Sequence, residues 1–287
     1  MKQKKLNSIL IFTSLFSVFM FLISLKFNSA GNFKIVESAL LNPSAKKNIS
    51  SVEIVVNEEK IFLFKKNGTW FFQKDDILTF CDENKCENLL NELSKIRKII
   101  KFMDKNSASL QEYKKNLTNK ITIFQENGKV LSNLEFSFPV TLTSSILVSS
   151  SKGNIIFETK DDFSPFFDVT ADFWVKSEIF FAVKNPSSIH LNSAEFYELS
   201  NLRHGKVKSV FEKKEATLIY RILIKGQLDD FQMIEIFEES GNSGDKKNYY
   251  YSQENFPCPV EEKAIFEISS YTLDSIVKLL NLQKIKV

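Results

Sequence analysis

The sequence predicts an α+β protein in which an N-terminal transmembrane helix is followed by two tandem modules of antiparallel sheet packed with helices. This prediction rests on an apolar N-terminal run, on hairpin turn signals, and on a strand–cap–helix unit that occurs in both halves. The 287 residues are enough for two domains of ordinary size. We expect a cytoplasmic stub and anchor at 1–30, a first module at 31–184 and a second at 185–287.

The N-terminal apolar run is Leu6–Leu25, which carries no charge. An α-helix rises ~1.5 Å per residue, so this run reaches about 30 Å, the thickness of a bilayer core. Three of the first five residues are lysines, which keeps this end in the cytoplasm. We expect a single-pass signal anchor in the cytoplasmic membrane, with the bulk of the chain extracytoplasmic, in the periplasm. The alternative is a signal peptide cleaved at Asn28-Ser29-Ala30, where Asn28 occupies a position that favours a small residue.

Turn signals between β-forming runs define the first module. Lys60–Lys65 and Thr69–Gln73 flank Asn67-Gly68, which predicts a hairpin because both central residues of a type I′ turn need positive φ. Trp70 on the return strand is expected to point into the core. Asn127-Gly128 marks a second hairpin. Other strands are predicted at Ser51–Val56, Lys120–Gln125, Leu131–Phe138, Ile146–Ser149 and Asn154–Glu158.

Helical spacing of apolar residues follows Asp82, which is a plausible N-cap. The predicted apolar stripe consists of Cys86, Leu89, Leu90, Leu93, Ile96 and Ile100. In the second half, strands are predicted at His190–Asn201, Lys206–Glu212, Thr217–Ile224, Asp230–Glu238, Tyr249–Ser252 and Ala264–Ser269, and a closing helix at Ser270–Leu282. NIIFETKDDFSPFF and AIFEISSYTLDSIV both contain a strand, a polar cap and an apolar helix, which favours tandem related modules.

The composition excludes some classes of function. The 38 basic and 35 acidic residues leave a net charge of +3, too small to predict nucleic-acid binding. Neither G-x-x-x-x-G-K nor G-x-G-x-x-G occurs, so a phosphate-cradling loop is not expected. The 28 phenylalanines indicate an ordinary core in which Phe replaces Leu, although a Phe-lined ligand pocket is the alternative.

No residue set predicts catalysis, a cofactor site or a metal site. The adjacent carboxylates Asp161-Asp162, Asp229-Asp230 and Glu261-Glu262 would point to opposite faces of a strand, so we expect them in turns and helix caps. His190 and His204 are the only histidines, and no G-x-S-x-G motif presents a serine beside them. Both histidines are expected to be structural residues at or near the surface.

The three cysteines fit an exported protein. Cys81 and Cys86 could close a small disulfide in an oxidising compartment, and the alternative is that Cys86 is a buried thiol on a helix face. C-x-x-C pairs of the kind that hold structural zinc are missing from the sequence. Cys258 lies between two prolines in FPCPV, without a visible base, and is expected to be structural.

A series of segments resembles the domain-of-unknown-function 4340 family of bacterial membrane-anchored proteins. The segments are, in order, ALLNPSAKKNISSVEIVVNEEKIFLFKKNGTWFFQ, DENKCENLLNELSKI, GNIIFETKDDFSP, DFWVKSEIF and AIFEISSYTLDSIVKLL. Members of that family are often found with gliding-motility-type ABC transporters. The resemblance therefore implies an accessory role in the cell envelope, and it brings no catalytic residues.

We expect a non-catalytic, membrane-anchored extracytoplasmic interaction protein that needs no cofactor. Its expected partners are the membrane, through Leu6–Leu25, and proteins of an ABC-type transport or gliding-like envelope complex, but not nucleic acid. The alternative is an extracytoplasmic binding domain for an apolar envelope ligand. A third hypothesis, an envelope hydrolase, requires a convergent cluster around His190 or His204.

Overall fold

The computed structural model describes residues 16–17, 37–98, 101–104, 117–137, 146–150, 155–182, 186, 191–209, 216–226, 230–240 and 247–285. In this part of the chain, no helix is both long and apolar enough to cross a membrane. The predicted anchor Leu6–Leu25 lies outside the described residues, except for Phe16 and Ser17.

The described chain forms two large antiparallel sheets packed with a few short helices, which is an α+β architecture made mostly of sheet. The strands up to the middle of the chain are β1 (Glu37–Ser38), β2 (Ile49–Val56), β3 (Glu59–Lys66), β4 (Thr69–Lys74), β5 (Ile77–Phe80), β6 (Arg97–Lys98), β7 (Lys101–Asp104), β8 (Leu117–Gln125), β9 (Val130–Ser137), β10 (Ile146–Ser150) and β11 (Ile155–Thr159). The remaining strands are β12 (Val207–Lys208), β13 (Ala216–Lys225), β14 (Phe231–Ser240), β15 (Lys247–Phe256) and β16 (Ile265–Ile268). The helices are α1 (Glu83–Ser94), α2 (Ala171–Trp174), α3 (Ser193–Ser200) and α4 (Ser270–Leu280), with 3₁₀ turns at Pro43–Asn48 and Ser164–Phe167.

The first sheet has nine strands in the order β5-β4-β3-β2-β8-β9-β10-β11-β7. Its two predicted hairpins are confirmed. Asn67 and Gly68 adopt φ values of 51° and 86° between β3 and β4, as a primed turn requires. Gly128 has a φ of 74° between β8 and β9. The prediction for Trp70 is also confirmed, because its side chain is only 2% exposed.

Helix α1 begins where the sequence predicts, because Asp82 Oδ1 accepts a hydrogen bond of 3.0 Å from the Asn84 backbone. Its buried face consists of Cys86, Leu89, Leu90 and Leu93. The prediction that this stripe continues is wrong for Ile96, which is 65% exposed. The helix ends at Ser94 because Arg97–Lys98 pair with β1, and that pairing uses backbone groups that another helical turn would need. Ile100 lies outside the described residues.

The second sheet has five strands in the order β12-β16-β15-β14-β13. Helix α4 contacts β15 and buries Leu273 and Ile276, which confirms the predicted closing helix. The predicted strand His190–Asn201 is wrong, because α3 occupies most of this range. A capping box explains the helix, since Asn192 accepts from the Glu195 backbone and the Glu195 carboxylate accepts from the Asn192 backbone.

One continuous hydrophobic core joins the two sheets. It includes Ile54 and Leu89 from the first part of the chain and Ile234 and Phe266 from the second. Helix α2 lies between the sheets and contacts both β4 and β12. The division into modules at 31–184 and 185–287 stays a prediction.

Candidate functional site

The loop between β15 and β16 docks on the edge of the first sheet. Strand β5 is the outermost strand of that sheet. The Leu78 amide donates to the Lys263 carbonyl at 2.9 Å, and the Lys263 amide donates to the Leu78 carbonyl at 2.7 Å. A reciprocal pair of this kind extends the β ladder by one step. The backbone of the loop is therefore fixed to the first sheet next to Glu262.

Glu262 accepts hydrogen bonds from both sheets. From the first sheet, the Thr79 hydroxyl donates to Oε1 at 2.6 Å, and the Phe80 backbone amide also donates to the carboxylate. From the second sheet, Gln253 Nε2 donates to Oε1 at 3.0 Å and Asn255 Nδ2 donates to Oε2 at 2.7 Å. We call Glu262 with these four donors the Glu262 clasp. Its geometry ties the middle of the second sheet to the edge of the first.

The carboxyl group of the Glu262 clasp titrates near neutral pH. Burial raises the pKa of Glu262 to about 7, and the hydrogen bonds from Thr79, Gln253, Asn255 and the Phe80 backbone oppose that rise. All four donors are neutral, so they stabilise the negative charge less than a bonded cation would.

A second layer of polar contacts supports the Glu262 clasp. Gln232 Nε2 donates to Gln253 Oε1 at 2.9 Å and to the Ile179 carbonyl at 2.7 Å, which orients the amide of Gln253. The Tyr251 hydroxyl is buried nearby and has no hydrogen-bond partner among the described residues. Burial, and then the charge of Glu262, raise the pKa of Tyr251 well above its usual value. A second buried polar group without a partner among the described residues therefore lies close to the Glu262 carboxyl group.

His204 is partly buried, as the sequence predicts, and both sides of its ring contact the backbone. Its Nε2 lies 2.9 Å from the Lys176 carbonyl oxygen and its Nδ1 lies 2.8 Å from the Gly205 carbonyl oxygen. Its ring centroid lies 4.8 Å from that of Phe266. Both ring nitrogens therefore face backbone oxygens. His190 lies outside the described residues.

The other carboxylate pairs serve local structure where the chain is described. Asp162 accepts from the Ser164 hydroxyl and backbone amide, and these two hydrogen bonds lower the pKa of Asp162. Asp161 Oδ2 lies 2.5 Å from Arg97 Nε. The turn prediction is thus confirmed for Asp162. Asp229 lies outside the described residues, while the Asp230 carbonyl accepts from the Gly226 amide.

For Glu262 the prediction of a turn or cap role is wrong, because its carboxyl group is buried between two sheets. A signal was present in the sequence. Gln253 and Asn255 share the inward face of β15 with the buried Tyr251, and Gln232 on β14 pairs with Asn255. Amides at alternate positions of a buried strand face must find partners, so they indicate an internal polar network.

A cleft of about 780 Å³ opens beside the Glu262 clasp. Strand β16 pairs with β15 only along Tyr249–Tyr251, and the cleft lies between the rest of β15 and the segment Cys258–Ile265. Its lining includes Glu235, Glu254, Glu261, Glu262, Gln253 and Asn255, and two phenylalanines, Phe237 and Phe256. Met233, Val260 and Ile265 also line it, so the cleft has both polar and apolar walls.

The cysteines lie in two places. Cys81 and Cys86 are buried and free, and their Sγ atoms are 3.0 Å apart. Cys258 lines the cleft, and burial raises the pKa of its thiol, which disfavours the reactive thiolate. The described residues contain no group of three or more His, Cys, Asp or Glu that could hold a metal ion.

The Cys81–Cys86 disulfide stays a prediction that the geometry makes testable. A bond requires sulfurs about 2.05 Å apart. Because burial raises the pKa of Cys81, we expect the pair to oxidise slowly in the folded protein. Cys258→Ser should leave a chain that loses two hydrogens on mild oxidation, as seen by mass spectrometry. Cys86→Ser is the control, which cannot form this bond. The prediction would be contradicted if Cys81 and Cys86 of the oxidised Cys258→Ser chain were both fully alkylated after unfolding without reductant.

Comparisons with protein families, with curated proteins and with solved structures give no match. The resemblance to the domain-of-unknown-function 4340 family therefore stays a prediction. The architecture itself defines a mostly-sheet α+β protein in which a buried carboxyl group fastens two antiparallel sheets to each other.

Proposed function

We propose that the protein is a membrane-anchored extracytoplasmic interaction protein without catalytic activity, acting as an auxiliary component of an ABC-type transport or gliding-like envelope complex. The observation that carries this proposal is the uncharged apolar run Leu6–Leu25 ahead of a folded body rich in sheet. An anchor confines that body to the membrane surface, which raises its effective concentration near membrane partners.

The contacts of the candidate acid–base groups support a non-catalytic role. Glu262 accepts from four protein donors, and Asp161 is engaged by Arg97 and by the Thr159 hydroxyl. Both ring nitrogens of His204 face carbonyl oxygens. A general acid or base must have its reactive atom within reach of a substrate proton, and these atoms already bond protein groups.

The joining of the two sheets supports a role in holding partners. The Glu262 clasp, the Leu78–Lys263 backbone pair and helix α2 all bridge the sheets. A body with fixed sheets loses little conformational freedom when it binds, so more of the contact energy appears as affinity.

Topology and partners are tested with the full chain. Protease added to intact spheroplasts should digest the body, because we expect everything after Leu25 to lie outside the cytoplasm. Affinity purification from gently solubilised membranes should then recover envelope transport proteins with the chain. The mass of the mature N-terminus distinguishes a retained anchor from cleavage near Ala30.

The control is a chain in which Phe16→Arg and Phe19→Arg place two charges in the apolar run. These substitutions should stop membrane insertion, since each central charge costs about 3 kcal/mol. The proposal fails if the body of the natural chain is protected while an external marker is digested, or if no partner co-purifies at any detergent strength.

A further inference from the structure

The segment that links β15 to β16, residues 257–264, is held on the first sheet by a short contact. The Leu78–Lys263 backbone pair is an isolated bridge, with no further ladder step on either side. Beside it, the Thr79 hydroxyl and the Phe80 amide donate to the Glu262 carboxylate. The hydrogen bonds between β5 and this segment therefore fall into two groups, one on the backbone of Lys263 and one on the side chain of Glu262.

Other contacts join the two sheets independently of this segment. Helix α2 contacts both β4 and β12, and the hydrophobic core is continuous from the first sheet to the second. Detachment of residues 257–264 from β5 would leave these contacts in place. Proteins open locally where few contacts hold a segment, at a lower free energy than global unfolding requires.

The carboxyl group of Glu262 lies within this short contact and is bonded only by neutral donors. Those donors come from β5 on one side and from β15 on the other. A buried carboxylate without a bonded cation is less stable than the same carboxylate in water. Ionisation of Glu262 therefore favours any arrangement of the chain in which water reaches this group.

The titratable groups around Glu262 do not supply the missing positive charge. Strand β5 carries no titratable side chain. Tyr251 on β15 and Cys258 in the segment interact electrostatically with Glu262, and burial raises the pKa of both, so both stay neutral. Behind Tyr251, the ring centroid of His204 lies 6.3 Å from that of the tyrosine. The charged side chains next to these positions in sequence are exposed to solvent: Glu254, Glu261 and Lys263.

We propose that Glu262 is a proton-controlled latch, which keeps residues 257–264 on β5 while its carboxyl group is protonated and releases them more readily once that group is ionised. The docked state holds the carboxyl group away from water, and the released state exposes it. In agreement, burial in the docked state raises the pKa of Glu262 from 4.5 to about 7. Docking is therefore strongest below pH 4.5 and weakens as the pH rises towards 7. The latch does not depend on the membrane anchor or on the proposed transport role.

Amide hydrogen exchange of the purified full chain tests the latch at its own hydrogen bonds. The Leu78 and Lys263 amides become exchangeable when the segment leaves β5. Exchange rates divided by the intrinsic rate at each pH give the opening equilibrium. We expect this opening to increase about 100-fold from pH 4.5 to pH 8, as the difference between the two pKa values of Glu262 requires.

The Ile54 amide distinguishes local release from global unfolding. Ile54 lies in the middle of β2, is 0% exposed and pairs with strands on both sides. Its exchange should be slower than that of Leu78 and Lys263 and should accelerate steeply with low concentrations of urea, because global unfolding exposes much surface. Exchange at Leu78 and Lys263 should respond weakly to the same urea concentrations.

Three variants assign the pH dependence to one carboxyl group. Glu262→Gln should make opening at Leu78 and Lys263 independent of pH, while Glu261→Gln, which removes the adjacent exposed carboxylate, should keep the increase of about 100-fold. Thr79→Val removes a donor that bonds a carboxylate more strongly than a neutral acid. It should therefore increase opening about fivefold more at pH 8 than at pH 4.5.

The latch is refuted if opening at Leu78 and Lys263 does not change with pH in the natural chain, or if Glu262→Gln retains the change. Exchange at these two amides that matches Ile54 in rate and in urea dependence would also refute it, because the segment would then leave β5 only when the whole chain unfolds. Far-UV circular dichroism verifies that each variant is folded, and Thr79→Val provides the test if Glu262→Gln is not.

Discussion

The natural protein is expected to lose about 3 kcal/mol of stability between pH 4.5 and pH 8, and Glu262→Gln is expected to abolish this loss. Burial raises the pKa of Glu262 from 4.5 to about 7 in the folded protein. Each pKa unit corresponds to about 1.4 kcal/mol of difference between the protonation states. A glutamine has nearly the same shape and does not titrate.

The direction of this change in stability with pH follows from proton binding by the folded and unfolded states. Below pH 4.5 the carboxyl group is neutral in both the folded and the unfolded chain, so the full contribution to stability is present. Between pH 4.5 and about 7 only the folded chain keeps the proton, so the free energy of unfolding falls as the pH rises. Above about 7 both states are ionised and the loss is complete.

Neighbouring groups do not produce this effect. Tyr251 and Cys258 both interact electrostatically with Glu262, but burial raises the pKa of each above its already high usual value. Neither group titrates in this range. Protonated Glu262, or its glutamine replacement, can donate to Asn255 Oδ1 once the Asn255 amide turns over, so the Glu262 clasp keeps its hydrogen bonds.

Urea unfolding of both proteins at several pH values from 4.5 to 8 measures the effect. The stability of the natural protein minus that of Glu262→Gln should fall by about 3 kcal/mol across this range. Glu261→Gln is the matched control, because it removes the adjacent, exposed carboxylate and should give a nearly constant difference. A constant difference for Glu262→Gln as well would show that the carboxyl group is not desolvated.

Local chemistry was enough to predict the hairpins and two of the helices. The turn at Asn67-Gly68 needs positive φ values that few other residue pairs adopt readily, and Asp82 caps α1 within three residues of chain. The α3 helix was also encoded locally, by the capping box of Asn192 and Glu195. The strand prediction there gave weight to composition and overlooked that pattern.

Long-range contacts account for what the sequence did not predict. Helix α1 stops at Ser94 because a distant strand pairs with Arg97–Lys98, and nothing in the local sequence forbids another turn through Ile96. The Glu262 clasp joins Thr79 to Glu262 across 183 positions of chain. A glutamate beside another glutamate is typical of an exposed position, and only the tertiary fold places donors from two sheets around Glu262.

The second large effect is expected at Trp174, where Trp174→Ala should destabilise the protein by about 3–5 kcal/mol. Trp174 is 0% exposed and ends helix α2, between the two sheets. Its indole Nε1 donates to the Asp168 carbonyl, and its own carbonyl accepts from the Asp82 amide at 2.8 Å. Truncation leaves a cavity and leaves the Asp168 carbonyl without its indole donor.

The expected loss of stability in Trp174→Ala includes the loss of contacts that join the two sheets. Asp172 on the same helix accepts from the Val207 amide of β12 at 2.7 Å, while the Trp174 carbonyl contacts the start of α1. Total stability of a domain is about 5–15 kcal/mol, so Trp174→Ala could leave little folded protein. Trp174→Phe keeps most of the apolar volume and loses the Nε1 hydrogen bond, so a smaller cost of about 1–3 kcal/mol is expected.

Urea unfolding monitored by circular dichroism compares these variants, and Trp70 remains as the second tryptophan for fluorescence. Tyr197→Ala is the matched control, since it deletes an aromatic ring that is 72% exposed and should change stability by less than about 0.5 kcal/mol. If Trp174→Ala cost no more than Tyr197→Ala, helix α2 would not hold the sheets together. An ordering of Trp174→Ala, Trp174→Phe and Tyr197→Ala by decreasing cost would show that burial between the sheets, and not aromaticity, sets the contribution of this residue.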